Sequence, residues 1–326
     1  MSQNIFNKKV VLDGALGTAL EDLIDPSAPY LPSKSPLWSG QVLLDAPELI
    51  QKVHEMYIGA GSEVIFTSTY QLSYDSLRKH TTLSDEQILE VWQRSIDLVR
   101  AAALSIDETA RYTKEKESRG EPGKVHIAGS IGPYAAYLAN GSEYTGDYGN
   151  VTDEQLEAFH TPMLEFFTEN EAVDLIAFET IPNFQELKAV TKLVKRLNCK
   201  KPVLFSITCQ NLDNLTDGTP LLEVKKYLDF CLPKEQKILG INCVEYTLVQ
   251  GIMSHFAGFK FYVYPNLGFE YDLEKHQFVI KEGRSEDDWK LFVKNLASKE
   301  AVIGIGGCCN TGVKEIEQIS QVMYKE

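Results

Sequence analysis

No stretch of the 326 residues approaches the roughly 18 to 20 consecutive apolar side chains that a bilayer-spanning helix requires, and Met1 to Lys9 carry no apolar core of a secretory signal. Neither a basic stripe nor an alternation of aromatic and basic residues occurs, and 46 acidic against 32 basic side chains leave a formal net charge of −14. Nucleic-acid binding draws on Lys and Arg patches that neutralise phosphates, so the balance argues against that class. The six cysteines lack the dense, regular spacing of a disulfide framework, which fits a reducing compartment, where clustered thiols serve metal binding or catalysis. The six histidines include no His-x-His pair. No Gly/Ser linker divides the chain, and nothing repeats at a fixed long period. These absences point to a cytoplasmic protein of one domain, residues 1–326, whose partner is a small molecule rather than a membrane or a nucleic acid. They say nothing of oligomeric state.

What the chain does have is a recurrence of short runs rich in Val, Ile and Phe, separated by helical patterns. That alternation is the signature of βα units and a parallel sheet. Eight such runs occur: Val10 to Leu12, Glu63 to Phe66, Val125 to Ala128, Asp174 to Phe178, Val203 to Ile207, Ile238 to Ile241, Phe261 to Tyr264 and Val302 to Ile305. The intervening helices include Pro47 to Ala60, Ser84 to Leu104, Asp153 to Glu169 and Glu286 to Ala297, each with apolar positions at helical spacing. Eight runs alternating with helices match an α/β fold of the (β/α)8 TIM-barrel type, whose active sites lie at the C-terminal strand ends.

The unusual residues stand at those ends. Asp13, Gly14, Thr67, Tyr70, Glu179, Asn242, Cys243, Asn266, Cys308 and Cys309 all follow an expected strand, and only this fold brings residues so distant in sequence around one mouth. Gly306-Gly307-Cys308-Cys309 places two adjacent thiols after a glycine pair, and Asn242-Cys243 supplies a third. Three thiolates from two strand ends can hold one Zn²⁺ and leave its fourth position open. Lone cysteines equally behave as small buried hydrophobes, the reading given to Cys199, Cys209 and Cys231. Two long loops, Asp25 to Gln41 and Gly132 to Val151, leave the C-terminal side and are expected to cover the mouth. The charged stretch Ser105 to Lys124 precedes a strand and reads as a solvated insertion on the opposite face.

Asp13-Gly14, Phe178-Glu179-Thr180, Gly240 to Cys243, Pro265 to Gly268 and Gly306 to Cys309 together resemble the zinc-dependent homocysteine S-methyltransferase family. Gly129 to Pro133 and Glu143 to Gly149 are most similar to its short fungal, plant and bacterial enzymes, which use S-methylmethionine or S-adenosylmethionine as methyl donor. The resemblance implies that Cys243, Cys308 and Cys309 bind one Zn²⁺ per chain and that the homocysteine thiolate takes its fourth position. It also implies that Asp13 and Glu179 bind the amino acid's ammonium. Gly14, Thr67, Tyr70, Asn242 and Asn266, at the same strand ends, are the further candidates to line the substrate pocket. Aromatic and acidic loop residues, Trp38, Tyr134, Tyr144, Asp147 and Tyr148, are candidates to face the sulfonium. The chain departs from the family pattern at Ala15 and Ala19, where Gly and Glu are usual, and at Asn310, where close relatives often carry Arg.

Two other readings stay open at this level. A zinc hydrolase on the same barrel predicts His and carboxylate ligands, which the histidine placement does not favour. A closed four-cysteine site, structural or sensory, needs a fourth thiol, for which Cys209 after the fifth run is the candidate.

Overall fold

The computed structural model describes residues 8–112, 125–272, 277–280 and 285–324. Each expected run forms a strand: β1 (Val10–Val11), β2 (Val64–Phe66), β3 (His126–Ile131), β4 (Leu175–Ile181), β5 (Val203–Ile207), β6 (Ile238–Glu245) and β7 (Lys260–Asn266). A hairpin, β8 (Phe269–Asp272) with β9 (Gln277–Ile280), precedes the last barrel strand, β10 (Val302–Ile305). All pairings in the main sheet are parallel, in the order β1-β10-β7-β6-β5-β4-β3-β2. A parallel bridge from Leu12 to Val64 joins the two outer strands, so the sheet curls into a (β/α)8 barrel.

Period-two alternation sorts the strand residues into two apolar layers. Val10, Leu12, Val64, Ala128, Leu175, Ala177, Leu204, Ile238, Tyr262 and Ile303 fill the interior. Val11, Ile65, Ile127, Ile176, Phe205, Leu239 and Val263 face outward into the larger layer shared with the helices. Continuing the inward parity past the apolar layer brings Ser130, Glu179, Ser206, Asn242 and Tyr264 to the C-terminal end of the interior. The barrel therefore changes from apolar to polar as it opens. Close strand approach requires glycine at one point in this layer, because a Cβ on Gly240 would meet Ser206 Oγ at 1.8 Å.

Two expectations change. The helix expected to end at Leu104 runs from Asp85 to Tyr112; Ser105 to Tyr112 is charged but contains no Gly or Pro to stop it. The remainder of the expected insertion, 113–124, lies outside the described residues. The hairpin after β7 was not expected, because its strands do not alternate with helices. Its signals are Gly268 at φ 78° and the β-favouring residues Phe269, Tyr271, Phe278, Val279 and Ile280. Among the described residues, no helix is long and apolar enough to cross a membrane.

Candidate metal centre and pocket

Cys243 lies near the end of β6 and the Cys308-Cys309 pair follows β10, and their three sulfur atoms lie within 4.8 Å of one another. A tetrahedral Zn²⁺ with bonds of about 2.3 Å separates its thiolates by roughly 3.8 Å, so the sulfurs stand close to a metal-binding arrangement. They are the only group of three or more potential ligands that converges among the described residues. Cys209, the candidate for a fourth thiol, is buried and its thiol is pushed up to about 12 by burial. It does not join the cluster. Cys309 is the most exposed of the three, and its thiol is held well below the ordinary range by hydrogen bonding from Cys243 and Cys308. Three soft sulfur donors suit a soft transition-metal ion rather than magnesium or calcium.

The backbone is strained to build this arrangement. Cys243 has φ 53° and Asn310, just after the pair, has φ 62°, a region that costs non-glycine residues about 1 to 3 kcal/mol. Local bonds hold the turn: Cys308 N–H donates to Pro265 O at 2.9 Å, Thr311 N–H donates to Cys308 O at 2.9 Å, and Asn310 N–H donates to Thr18 Oγ1 at 3.2 Å. The glycines before the pair are required by space. A Cβ on Gly306 would lie 2.5 Å from Leu12 Cβ, and one on Gly307 would lie 2.0 Å from Thr311 Cγ2.

Asp13 stands directly beside this turn, because Gly307 N–H donates to Asp13 O at 3.0 Å. Its carboxylate accepts from Phe66 N–H at 3.0 Å and is raised well above the carboxylate range by burial, with Glu179 adding repulsion. Glu179 accepts from Ser130 Oγ and from the Tyr264 phenol, and the Tyr264 oxygen is also hydrogen-bonded to the Ser206 hydroxyl. Burial pushes the Glu179 carboxyl up to about 7 despite those bonds. The two acids thus share the polar end of the barrel. Among the described residues no basic side chain acts on either of them, so a cationic ligand group would be the favourable complement.

The other sequence candidates divide by role. Asn242 is buried and bridges to β4, accepting from Thr180 N–H at 3.0 Å and donating to Thr180 Oγ1 at 2.7 Å. Asn266 Nδ2 lies 3.8 Å from Cys243 Sγ, and its Oδ1 is buried without a partner among the described residues. Tyr70 reaches Thr180 through its phenol and lies near Glu143, Cys243 and Cys308. Thr67 instead stitches β2 to β3: its Oγ1 accepts from Ser130 N–H at 2.9 Å and lies 2.7 Å from Thr69 Oγ1. Gly14 has a packing reason, since a Cβ there would lie 2.5 Å from Thr311 O.

Of the loop candidates for the sulfonium, Tyr134 and Tyr148 are turned into a small cluster with Ala135, Leu156 and Ala189, while Asp147 caps a turn by accepting from Gly149 N–H at 2.9 Å. Trp38 and Tyr144 are exposed. Ser130, Ser206 and Tyr264 were not anticipated, although each sits two residues beyond an inward-facing apolar position of its own strand. Glu143, in the four-residue helix Ser142–Thr145, was not assigned a role either; burial and the neighbouring Cys309 raise its carboxyl.

With this geometry in place, the profile of the homocysteine S-methyltransferase family matches residues 10–323. The chain belongs to the homocysteine S-methyltransferase family. It is similar to Homocysteine S-methyltransferase 2 of Zea mays, at 34% identity over 97% of this chain and 90% of that protein. Homocysteine S-methyltransferase 1 of Saccharomyces cerevisiae is 32% identical over 98% of this chain and 95% of its own length. Among solved structures, the metallated homocysteine methyltransferase MmuM of Escherichia coli superposes with a TM-score of 0.73, at 32% identity and 96% coverage of both chains. The departure at Ala19 has a local account within this family member: the side chain is buried in the layer between sheet and helices. Ala15 engages the site through its backbone, its N–H donating to Thr311 O at 2.9 Å and its O accepting from Tyr57 at 3.0 Å.

Proposed function

We propose that this protein transfers a methyl group from a sulfonium donor, S-methylmethionine or S-adenosylmethionine, to the sulfur of L-homocysteine, giving methionine. The observation that carries the reading is the convergence of Cys243, Cys308 and Cys309 beside two buried acids that have no basic neighbour among the described residues. Cys243, Cys308 and Cys309 would hold Zn²⁺, which supplies an open position for the substrate sulfur and favours its deprotonated form.

Asp13 and Glu179 are positioned to take the homocysteine ammonium. They are desolvated, and a cation between them would relieve their mutual repulsion. Ser130 and Tyr264 orient Glu179 so that its carboxylate faces the pocket. Asn242, through Thr180, fixes the backbone that presents Cys243. In the transfer, the homocysteine sulfur attacks the methyl carbon in line, the carbon to sulfonium bond breaks, and its electron pair remains on the leaving thioether. The leaving group is neutral, so the chain's main contribution is to position two sulfurs and exclude water.

Methionine formation from homocysteine and each sulfonium donor tests the reading. A hydrolase would instead need an activated water, and no His converges on the metal-binding group among the described residues.

A further inference from the structure

Glu186 is fully buried at the start of the helix Phe184–Arg196 and takes no part in the pocket. A buried carboxylate is costly unless its oxygens are well satisfied. Among the described residues no lysine or arginine satisfies it. Its Oε1 accepts from Tyr134 N–H at 2.6 Å and pairs with His160 Nε2 at 2.8 Å, and its Oε2 accepts from the Tyr148 phenol. His160 is itself buried, and among the described residues its Nδ1 has no partner and this carboxylate is the ring's one hydrogen-bonding partner.

Two of those three donors belong to the loop that rises after β3, one at each side of the short helix Ser142–Thr145. A third pin lies close by: Asn183, which caps the Phe184–Arg196 helix by accepting from Glu186 N–H at 3.0 Å, donates from Nδ2 to Gly146 O at 2.8 Å. Gly146 at φ 66° packs so closely on Asp217 that a Cβ would lie 2.6 Å from its backbone. Asp217 in turn accepts from Phe184 N–H at 2.6 Å. One helix start therefore fixes the loop at Tyr134, Gly146 and Tyr148. Between those pins stands Glu143, whose carboxylate is near Cys309 and Tyr70. Among the described residues no basic side chain acts on it, and the pinned loop is what carries it to the thiol cluster.

We propose that Glu186 is a positioning residue for methyl-donor binding, holding the Tyr134 to Tyr148 loop so that the Glu143 carboxylate faces the cationic donor beside the sulfur cluster. The inference rests on the sulfonium-donor reading above. A purely structural carboxylate would affect folding and both substrates alike, whereas a loop clamp acts on the donor alone. Glu143 supplies the opposite charge, and Tyr148 and the Tyr134 backbone transmit the position of Glu186 to the loop.

The decisive measurement is steady-state kinetics of the zinc-loaded full chain with S-methylmethionine and with S-adenosylmethionine, together with zinc content and melting temperature. Glu186→Gln and Glu143→Gln are expected to raise the donor KM about tenfold, the worth of one hydrogen bond or contact to a charged group. Tyr148→Phe, which keeps the Tyr134 and His160 bonds, is expected to raise it about threefold and carries the test if Glu186→Gln does not fold. Homocysteine KM and zinc content should stay within about twofold in all three variants. Equal rises in both KM values, loss of zinc, or an unmoved donor KM in Glu143→Gln or Tyr148→Phe overturns the inference while methionine formation by the unaltered protein stands. No methionine from either donor with the unaltered protein instead sinks the donor reading, and this inference with it.

Discussion

Asn242 and Thr180 hold one another by two hydrogen bonds, Thr180 N–H donating to Asn242 Oδ1 at 3.0 Å and Asn242 Nδ2 donating to Thr180 Oγ1 at 2.7 Å. Thr180 sits at φ 55° and Cys243, the next residue after Asn242, at φ 53°. A β-branched residue in this region is unfavourable by about 1 to 3 kcal/mol. The pair couples two strained strand ends, one following the acid Glu179 and the other carrying the Cys243 sulfur. Asn242→Ala is therefore expected to lower unfolding free energy by about 2 to 3 kcal/mol and to weaken zinc binding. Denaturant titration and competition with a chromogenic chelator measure the two effects; unchanged zinc affinity would show that Cys243 does not depend on the bridge.

The three sulfurs are expected to act as a set. Cys243→Ser, Cys308→Ser and Cys309→Ser should each reduce zinc well below the roughly one ion per chain that a three-thiolate donor set holds and abolish turnover. Cys209→Ser should keep zinc, because Cys209 lies outside the cluster. Metal analysis of the purified variants checks this, and loss of zinc from Cys209→Ser would support a four-thiol site.

Glu179 gives the site a pH dependence with a definite sign. Its carboxyl is raised to about 7 by burial, so below that pH it is protonated and cannot pair with an ammonium. kcat/KM for homocysteine should rise as pH increases through about 7, and Glu179→Gln should lose that limb of the profile. The stability effect runs the opposite way. A raised folded pKa contributes stability below the ordinary carboxylate range and loses it as pH rises through about 7. Substrate-free Glu179→Gln should thus be more stable than the unaltered protein at pH about 8, by an amount of order 3 kcal/mol. Thermal unfolding across pH reads this directly.

Two glycine substitutions are expected to act in opposite directions. Gly307→Ala forces a Cβ to within 2.0 Å of Thr311 Cγ2 next to the thiol pair, and should destabilise by about 1 to 3 kcal/mol with loss of zinc. Gly59 lies in the helix Pro47–Ala60 with nothing within 4 Å of an added Cβ, so Gly59→Ala should stabilise by about 0.5 to 1 kcal/mol. Urea melts of both proteins decide.

The barrel was legible because its signal is local: each inner strand is a short apolar run bounded by a helical pattern, and each of the eight appears where the sequence places it. The thiol cluster was legible through Gly306 to Cys309, where an adjacent pair after two glycines is hard to explain by packing alone. The ring of Ser130, Ser206 and Tyr264 around Glu179 was not, since single serines in apolar runs carry no local signal until strand register brings them together. The clamp on Tyr134 and Tyr148 was hidden for the same reason. Their place is set by Glu186, 52 and 38 residues further along the chain, and no spacing rule connects them. The hairpin after β7 was hidden by the expectation that every strand would alternate with a helix.

The most direct measurement is methionine formation from homocysteine with S-methylmethionine and with S-adenosylmethionine in parallel, each repeated after chelator treatment and again after zinc is restored. Turnover is expected with at least one donor, lost on chelation and recovered with zinc. Absence of methionine from both donors with the zinc-loaded protein, or turnover that survives complete removal of the metal, would contradict it.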